Sequence, residues 1–405
     1  MSSRRDFLRM GLGSGVALGL ASLPGVSFAA PATGDARLVV VILRGALDGL
    51  SLVPPFGDAD YAGIRGPLAI ARPGAPKGAL DLDGFFGLHP ALPQLYERWR
   101  ARELIVVHAT ASPYRERSHF DGQNVLENGG DRPSGAASGW LNRALGALPP
   151  PRREGLALGQ NVPLILRGPA PVGSWAPSLL PEVEPELMVR LRDLYSNDGT
   201  LAARLDEAMR IGALADADGS PGDGAQQKMA RAGDGARLKA IAETAGRMLA
   251  AADGPRVAVM DAGGWDTHAG EGGAEGQLAG RLRTLDDVLA ALRGGLGEAW
   301  ARSAVLVCTE FGRTVEVNGT RGTDHGTGAA ALLVGGALAG GRVISDWPGL
   351  APRQRHEGRD LRPTTDLRAV AKGLLAEHLM VPARAFGEVF PDGDRASPLS
   401  GLVRA

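Results

Sequence analysis

The chain has one cysteine in 405 residues. Cys308 therefore has no partner within the chain, which excludes a disulfide scaffold, and alone it reads as a buried core residue. A basic excess is missing too: 44 Lys and Arg face 45 Asp and Glu, a formal net charge of −1. That excludes a general nucleic-acid or anionic-membrane binder, which needs surplus positive charge. No good membrane span is present either. The uncharged stretch from Met10 onward is only mildly apolar, rich in Gly and Ala, and broken by Pro24. Repeats and low-complexity tracts are absent. Apolar residues are plentiful at 44%, enough to exclude disorder, while 59 Gly and 28 Pro spread along the chain predict many loops. The length suits about two to three domains of ~150 residues, or one large α/β core.

The first residues read as an address. Ser3-Arg4-Arg5-Asp6-Phe7-Leu8-Arg9 precedes the short apolar stretch, and Ser27-Phe28-Ala29 offers small residues for cleavage. The opening run resembles the twin-arginine export signal. A secretory signal over 1–29 implies a periplasmic or secreted protein, handled by the twin-arginine export machinery and without a stable membrane span after processing. It also disposes of Gly11, Gly13 and Gly15 as a phosphate-cradling loop. Removing 1–29 leaves 41 basic and 44 acidic residues, a net charge of −3. Export after folding implies that any metal is loaded in the cytoplasm, and cysteine scarcity implies stability from core or metal.

The remaining chain alternates strands and helices. Leu38–Leu43 is a β-branched run of the kind buried on both faces of a sheet. Pro90–Arg102 predicts a helix, Leu104–Val107 a strand, and Ser118–Asn128 a helix ended by Gly129-Gly130. A proline-rich stretch from 149 to 185 carries one expected strand at Val162–Arg167. Glu186–Leu214 reads as a helix, Asp216–Gly224 as a polar loop, and Leu238–Ala251 as a helix. Strands follow at Arg256–Met260, Ala304–Cys308 and Ala330–Val334. Between them Leu278, Leu282, Leu285, Leu289, Leu292 and Leu296 form one helical stripe. Thr364–Leu379, opened by Pro363, is the last expected helix. The reading is a single α/β domain from 36 to 395, with a largely parallel central sheet between helical layers and an insertion or cap at about 150–236.

In such sheets, sites lie beyond the carboxyl ends of the strands. Those ends carry Arg44-Gly45-Ala46-Leu47-Asp48-Gly49, then Ser112-Pro113-Tyr114-Arg115-Glu116-Arg117-Ser118-His119-Phe120-Asp121. The later ends carry Gly264-Trp265-Asp266-Thr267-His268, Thr309-Glu310-Phe311-Gly312-Arg313, and Gly322-Thr323-Asp324-His325-Gly326. Carboxylates and imidazoles at several strand ends suit a divalent metal. Each residue also has a plainer role. Asp48 before Gly49 serves a turn as readily as a metal. Ser118 with Asp121 fits a helix cap as well as a nucleophile. Asp266 and His268, two apart, either share an ion or bond to each other. Glu310 needs a partner, metal or Arg313. Asp324-His325 has fewer structural roles available. Arg115 and Arg117 either hold an anionic substrate or sit in solvent. Among the other histidines, His89, His108 and His378 read as structural. His356 falls in a solvated basic loop with Arg353, Arg355 and Arg359.

Together these motifs resemble a large bacterial family of twin-arginine-exported proteins labelled by a domain of unknown function. That family is grouped with the alkaline phosphatase/sulfatase superfamily. The resemblance implies an alkaline phosphatase/sulfatase-like fold and hydrolysis of phosphate or sulfate esters with bound divalent metal. Carried over residue by residue, Asp48 looks like the first-strand metal aspartate and Ser118 like the nucleophile. Asp266, His268 and His325 look like the ligands of one metal, and Glu310 like the acidic ligand of another. Phe311 departs from the pattern, standing where active relatives place histidine, so the second set is incomplete unless Asp324 joins it.

The expectation is an exported metal-dependent hydrolase of phosphate or sulfate esters with Ser118 as nucleophile and Arg115 or Arg117 clamping the anionic ester. The nitrogen-containing set suits Zn²⁺ or another transition metal, and the oxygen set suits Ca²⁺, Mg²⁺ or Mn²⁺. The alternative is a non-catalytic periplasmic binding or assembly protein that retains part of such a site.

Overall fold

The computed structural model describes residues 35–149, 154–178, 184–216 and 225–404. The expected signal at 1–29 and most of the expected loop at 216–224 lie outside them. The stretch Asp35–Arg404 forms one compact unit.

Eleven strands occur among the described residues: β1 (Arg37–Leu43), β2 (Leu80–Asp81), β3 (Gly87–Leu88), β4 (Leu104–Ala111), β5 (Gly155–Leu158), β6 (Val172–Trp175), β7 (Val257–Ala262), β8 (Ser303–Cys308), β9 (Ala329–Val334), β10 (Arg342–Ile344) and β11 (Thr365–Asp366). All but β2 and β3 join one large sheet in the order β10-β4-β9-β8-β1-β7-β5-β6, with β11 also paired to β4. The sheet is mostly parallel. Its exception is β9, antiparallel to both β4 and β8. This reversal brings the start of β9 to the edge where its neighbours end.

Side chains alternate faces along a strand, so a wholly buried strand must feed two cores. In β1, Val39, Val41 and Leu43 enter one core, while Leu38, Val40 and Ile42 enter the other. The first core packs the leucine stripe of the helix Gln277–Leu296 beside the helix Asp234–Ala250. Trp140 and Leu141 belong to the second, as do Leu367, Val370 and Leu374 from the helix Leu367–Glu377. Cys308 is buried there. Helices thus cover both faces, which leaves the sheet's edges and loops to reach solvent.

The expected strand at 162–167 is instead a single turn of 3₁₀ helix at Leu164–Leu166. Side chains satisfy its backbone where a ladder would have done so. Ile165 N–H donates to Glu127 across 3.0 Å, and Asn142 Nδ2 donates to the Leu166 carbonyl across 2.8 Å. The neighbouring stretches supply β5 and β6, so the expected insertion contributes two strands to the main sheet. The expected helix 186–214 is two helices, Pro185–Tyr195 and Gly199–Asp216. Asp198 divides them by accepting from the N–H groups of Thr200 and Leu201, as a new helix start requires. No helix among the described residues is long and apolar enough to cross a membrane.

Candidate metal centre

Four segments meet at the carboxyl edge. After β4, the chain turns through Arg117 in the left-handed region (φ 62°), and Ser118 returns to extended backbone. His119 is then the first residue of the helix His119–Asn128. Asp266 and His268 follow β7, and Glu310 and Phe311 follow β8. His325 comes from the segment entering the reversed β9. Close approach requires glycine at two places. Gly45 has φ 119°, and a Cβ there would meet the Asp266 nitrogen at 2.7 Å. A Cβ on Gly122 would strike the Phe311 ring at 2.9 Å.

His119, Asp266 and His325 place one ligand atom each within 4.8 Å of one another, a possible metal-binding group. The Nε2 of His325 lies 2.9 Å from that of His119 and 2.9 Å from that of His268. Asp266 Oδ1 is 3.0 Å from His268 Nε2 and 3.3 Å from His325 Nε2, and Oδ2 is 3.5 Å from His119 Nε2. A tetrahedral ion with bonds of about 2.0–2.1 Å holds its ligands about 3.3 Å apart. The spacing fits.

The outer nitrogens establish the tautomers. His119 Nδ1–H donates to Glu310 Oε1 at 2.8 Å, and His268 Nδ1–H to Asp324 Oδ1 at 3.3 Å. His325 Nδ1–H donates to the Arg117 carbonyl at 2.9 Å. All three partners are acceptors, so neutral rings leave three Nε2 lone pairs directed inward beside a carboxylate. Such a set is complementary to a cation. The Glu310 hydrogen bond raises the pKa of His119, whereas burial lowers that of His325. Burial pushes Asp266 up, but Arg313, hydrogen-bonded to Oδ1, outweighs it and holds the carboxyl low. Arg313 is itself buried and also donates to the carbonyls of Gly45, Ala46, Trp265 and Thr323. Phe311 forms a wall, stacked on His119 with ring centroids 5.0 Å apart. Asp266 and His268 remain 44% and 43% exposed, leaving one side of the group open to solvent.

Several expected site residues have other roles. Asp48 is not part of the group. Its Oδ1 accepts from the N–H groups of Leu50 and Ser51, and its Oδ2 from Ser51 Oγ and Arg65. It caps the helix Gly49–Leu52 and forms a buried ion pair. Glu310 lies outside the group: it accepts from His119, Gln123 and the Gly45 N–H, and so orients the His119 ring. Asp324 does the same for His268. The Asn318 amide and then His268 hold its carboxyl low, with a smaller contribution from Arg359. The Arg115 guanidinium turns back to the carbonyls of Ser112 and Tyr114. That of Arg117 pairs with Asp360 and Glu357. Both arginines are engaged by protein, and only the Arg117 carbonyl serves the group. Ser118 occupies the N-cap position, but its hydroxyl makes no capping bond.

His119 and Arg313 are the functional residues the motif reading passed over. His119 has no motif of its own, and its place at a helix start just beyond a strand end is the signal that marks it. Arg313 was weighed only against Glu310, because nothing in the spacing relates it to Asp266.

Past the ends of β5 and β6 and against the end of β7 lies a cleft of about 640 Å³ lined in part by Gln160, Asn161, Arg237 and Asp261. Asp261 pairs with Arg44, Arg44 donates to Gln123, and Gln123 to Glu310, so a polar chain joins cleft and group.

The molecule is thus a mixed α/β protein with a histidine–aspartate cluster at the carboxyl edge of its main sheet. It belongs to a family of proteins of unknown function, DUF1501, whose model matches residues 104–384. That span includes every residue of the cluster and excludes Asp48. No curated protein matches the chain. Among solved structures, it is similar to the crystal structure of Ps i-CgsB in complex with k-i-k-neocarrahexaose. The identity is 8%, with 90% of this chain and 77% of that chain covered and a TM-score of 0.39.

Proposed function

We propose that this chain is an exported metal-dependent hydrolase of phosphate or sulfate esters, built on an alkaline phosphatase/sulfatase-like fold. The observation that carries the metal is the convergence of three inward Nε2 lone pairs with the Asp266 carboxylate. His119, His268, His325 and Asp266 are the proposed ligands. Three nitrogens and one oxygen favour Zn²⁺ or another transition metal over Ca²⁺ or Mg²⁺. With four protein ligands the ion would need to take a fifth on the solvent-open side, where it would supply Lewis acidity to an ester oxygen. Glu310, Asp324 and the Arg117 carbonyl keep the rings aimed, as outer partners do in metal sites. Ser118 is the proposed nucleophile, next to a ligand at a helix start and with its hydroxyl free of capping. Arg65 takes Asp48 and His119 takes Glu310, so the oxygen-only second set has no part in this reading.

The test is metal analysis of the purified chain, followed by aryl phosphate and aryl sulfate turnover with added Zn²⁺, Mn²⁺, Ca²⁺ or Mg²⁺. One ion per chain and activity lost in Ser118→Ala are expected. Absence of any bound divalent ion, with no metal-induced thermal shift, rejects the reading. For export, replacing Arg4 and Arg5 by Lys should retain the chain in the cytoplasm, and unchanged export rejects the twin-arginine route.

One observation favours the non-catalytic alternative. Leu187, Val189 and Leu194 on the helix Pro185–Tyr195 are largely exposed, as is Leu201 just beyond it. Metal binding without turnover of any ester in the panel would support a binding or assembly role.

A further inference from the structure

The basic loop around His356 is an ordered hairpin. His356 N–H donates to the Asp360 carbonyl at 2.9 Å, and the N–H groups of Arg359 and Asp360 both donate to the His356 carbonyl at 3.0 Å. Glu357 and Gly358, the two central residues of the turn, have φ of 54° and 68°. Two successive left-handed residues mark a tight hairpin turn with little freedom. The hairpin is fastened to the metal centre from two sides. Glu357 and Asp360 pair with Arg117, whose carbonyl holds His325, and the Arg359 carbonyl accepts from Val315 N–H at 3.2 Å.

Arg359 is the first residue after this turn. Its Nη2 donates to the His325 carbonyl at 2.8 Å, which places the guanidinium beside a proposed ligand. Its ion pair is a long one, Nε to Asp360 Oδ1 at 3.7 Å, Asp324 and Glu357 act on it at longer range, and the side chain is 43% exposed. One end is anchored and the rest of the planar fork faces solvent. Arg117 is less available, since its Nε and Nη2 already meet Asp360 and Glu357, and Arg115 is half-buried with its Nη1 turned back to the carbonyls of Ser112 and Tyr114.

We propose that Arg359 is the anion-binding residue of the centre, taking the non-bridging oxygens of a tetrahedral oxyanion, the phosphate or sulfate group of an ester. The inference rests on the metal-dependent reading above and assigns the substrate's charged group to a residue outside the expected pair. A planar guanidinium suits two oxygens of one such group, and a rigid turn lowers the ordering cost of binding.

The experiment titrates the zinc-loaded full chain with inorganic phosphate by calorimetry, comparing wild type, Arg359→Gln and Arg359→Lys. Gln removes the charge but stops near the position of Arg Nε, so the zinc count and the longer Arg359→Lys variant control for the lost anchor on the His325 carbonyl. Phosphate affinity is expected to fall about tenfold or more in Arg359→Gln, with zinc stoichiometry unchanged and part of the affinity kept by Lys. Unchanged phosphate binding in the loaded Gln variant overturns the proposal. Loss of zinc from Arg359→Gln also overturns it, making Arg359 a positioning residue for His325. A wild-type chain that takes up no zinc removes the metal reading itself, an outcome distinct from either variant result.

Discussion

His119 gives its Nδ1 proton to Glu310 across 2.8 Å, and this bond ties a helix start to the end of β8. Glu310 is thus joined to an imidazole from a different element of the fold. Phe311 lies flat against that same imidazole and helps keep it in plane. Removing the carboxylate should therefore weaken metal binding without removing a ligand. Glu310→Gln is expected to lower zinc affinity about 10–100-fold, and His119→Ala to lower it further. Competition against a calibrated chelator measures both, and wild-type affinity in Glu310→Gln would contradict the assignment.

Asp48 should be dispensable for metal and essential for packing. Asp48→Asn is expected to keep the zinc stoichiometry of the wild type. Arg65→Met should leave two buried carboxylates, Asp48 and Glu271, facing each other without their cation. Burial and the Asp48 charge already push Glu271 well up. A loss of about 3–5 kcal/mol is expected in urea unfolding. Metal loss in Asp48→Asn with unchanged stability would restore the aspartate as a ligand.

Gly45→Ala tests the close approach at Asp266. The substitution combines a left-handed backbone with a clash at 2.7 Å, a strain of about 1–3 kcal/mol. Zinc affinity should fall along with the melting temperature, because the displaced atom belongs to a ligand. A variant that melts lower yet binds zinc normally would show that Asp266 tolerates the shift.

Acid should destabilise the fold through His108. Burial lowers its pKa to about 4, with Nε2–H donating to the Val53 carbonyl and Nδ1 accepting from Ala109 N–H. The folded value lies below the unfolded one, ~6.5. Stability is therefore full above about pH 6.5 and declines as pH falls toward 4, where the folded form also protonates. The contribution is about 3 kcal/mol over that window. His89 and His378 are shifted the same way by burial. His108→Gln should flatten the profile of urea midpoint against pH, and an unaltered slope would exclude His108 as its source.

Much of this was legible because it is local. The β-branched run at 38–43 and the leucine stripe from 278 to 296 write their burial in their own periodicity. Asp266, His268 and His325 could be named because each follows or precedes a recognisable strand. The less legible parts depend on pairing between distant segments. Nothing near Asp48 announces Arg65, and nothing near Arg117 announces Asp360, so both were credited with charges available for function. The reversal of β9 left no mark in composition, since an apolar strand buried on both faces reads alike in either direction. At 162–167, apolar residues suggested a strand because side-chain donors and acceptors from Asn142 and Glu127 are invisible to periodicity.

The reversal of β9 also has a bearing on how the protein is completed. His119 and His325 stand 206 residues apart, and the latter arrives only once β9 has slotted between β4 and β8. A growing or half-folded chain can hold Asp266 and His268 together, yet it has no fourth corner. Any metal held by all four side chains therefore requires β9 to be in place between β4 and β8. A metal held by this group would thus report that two segments distant in sequence have met.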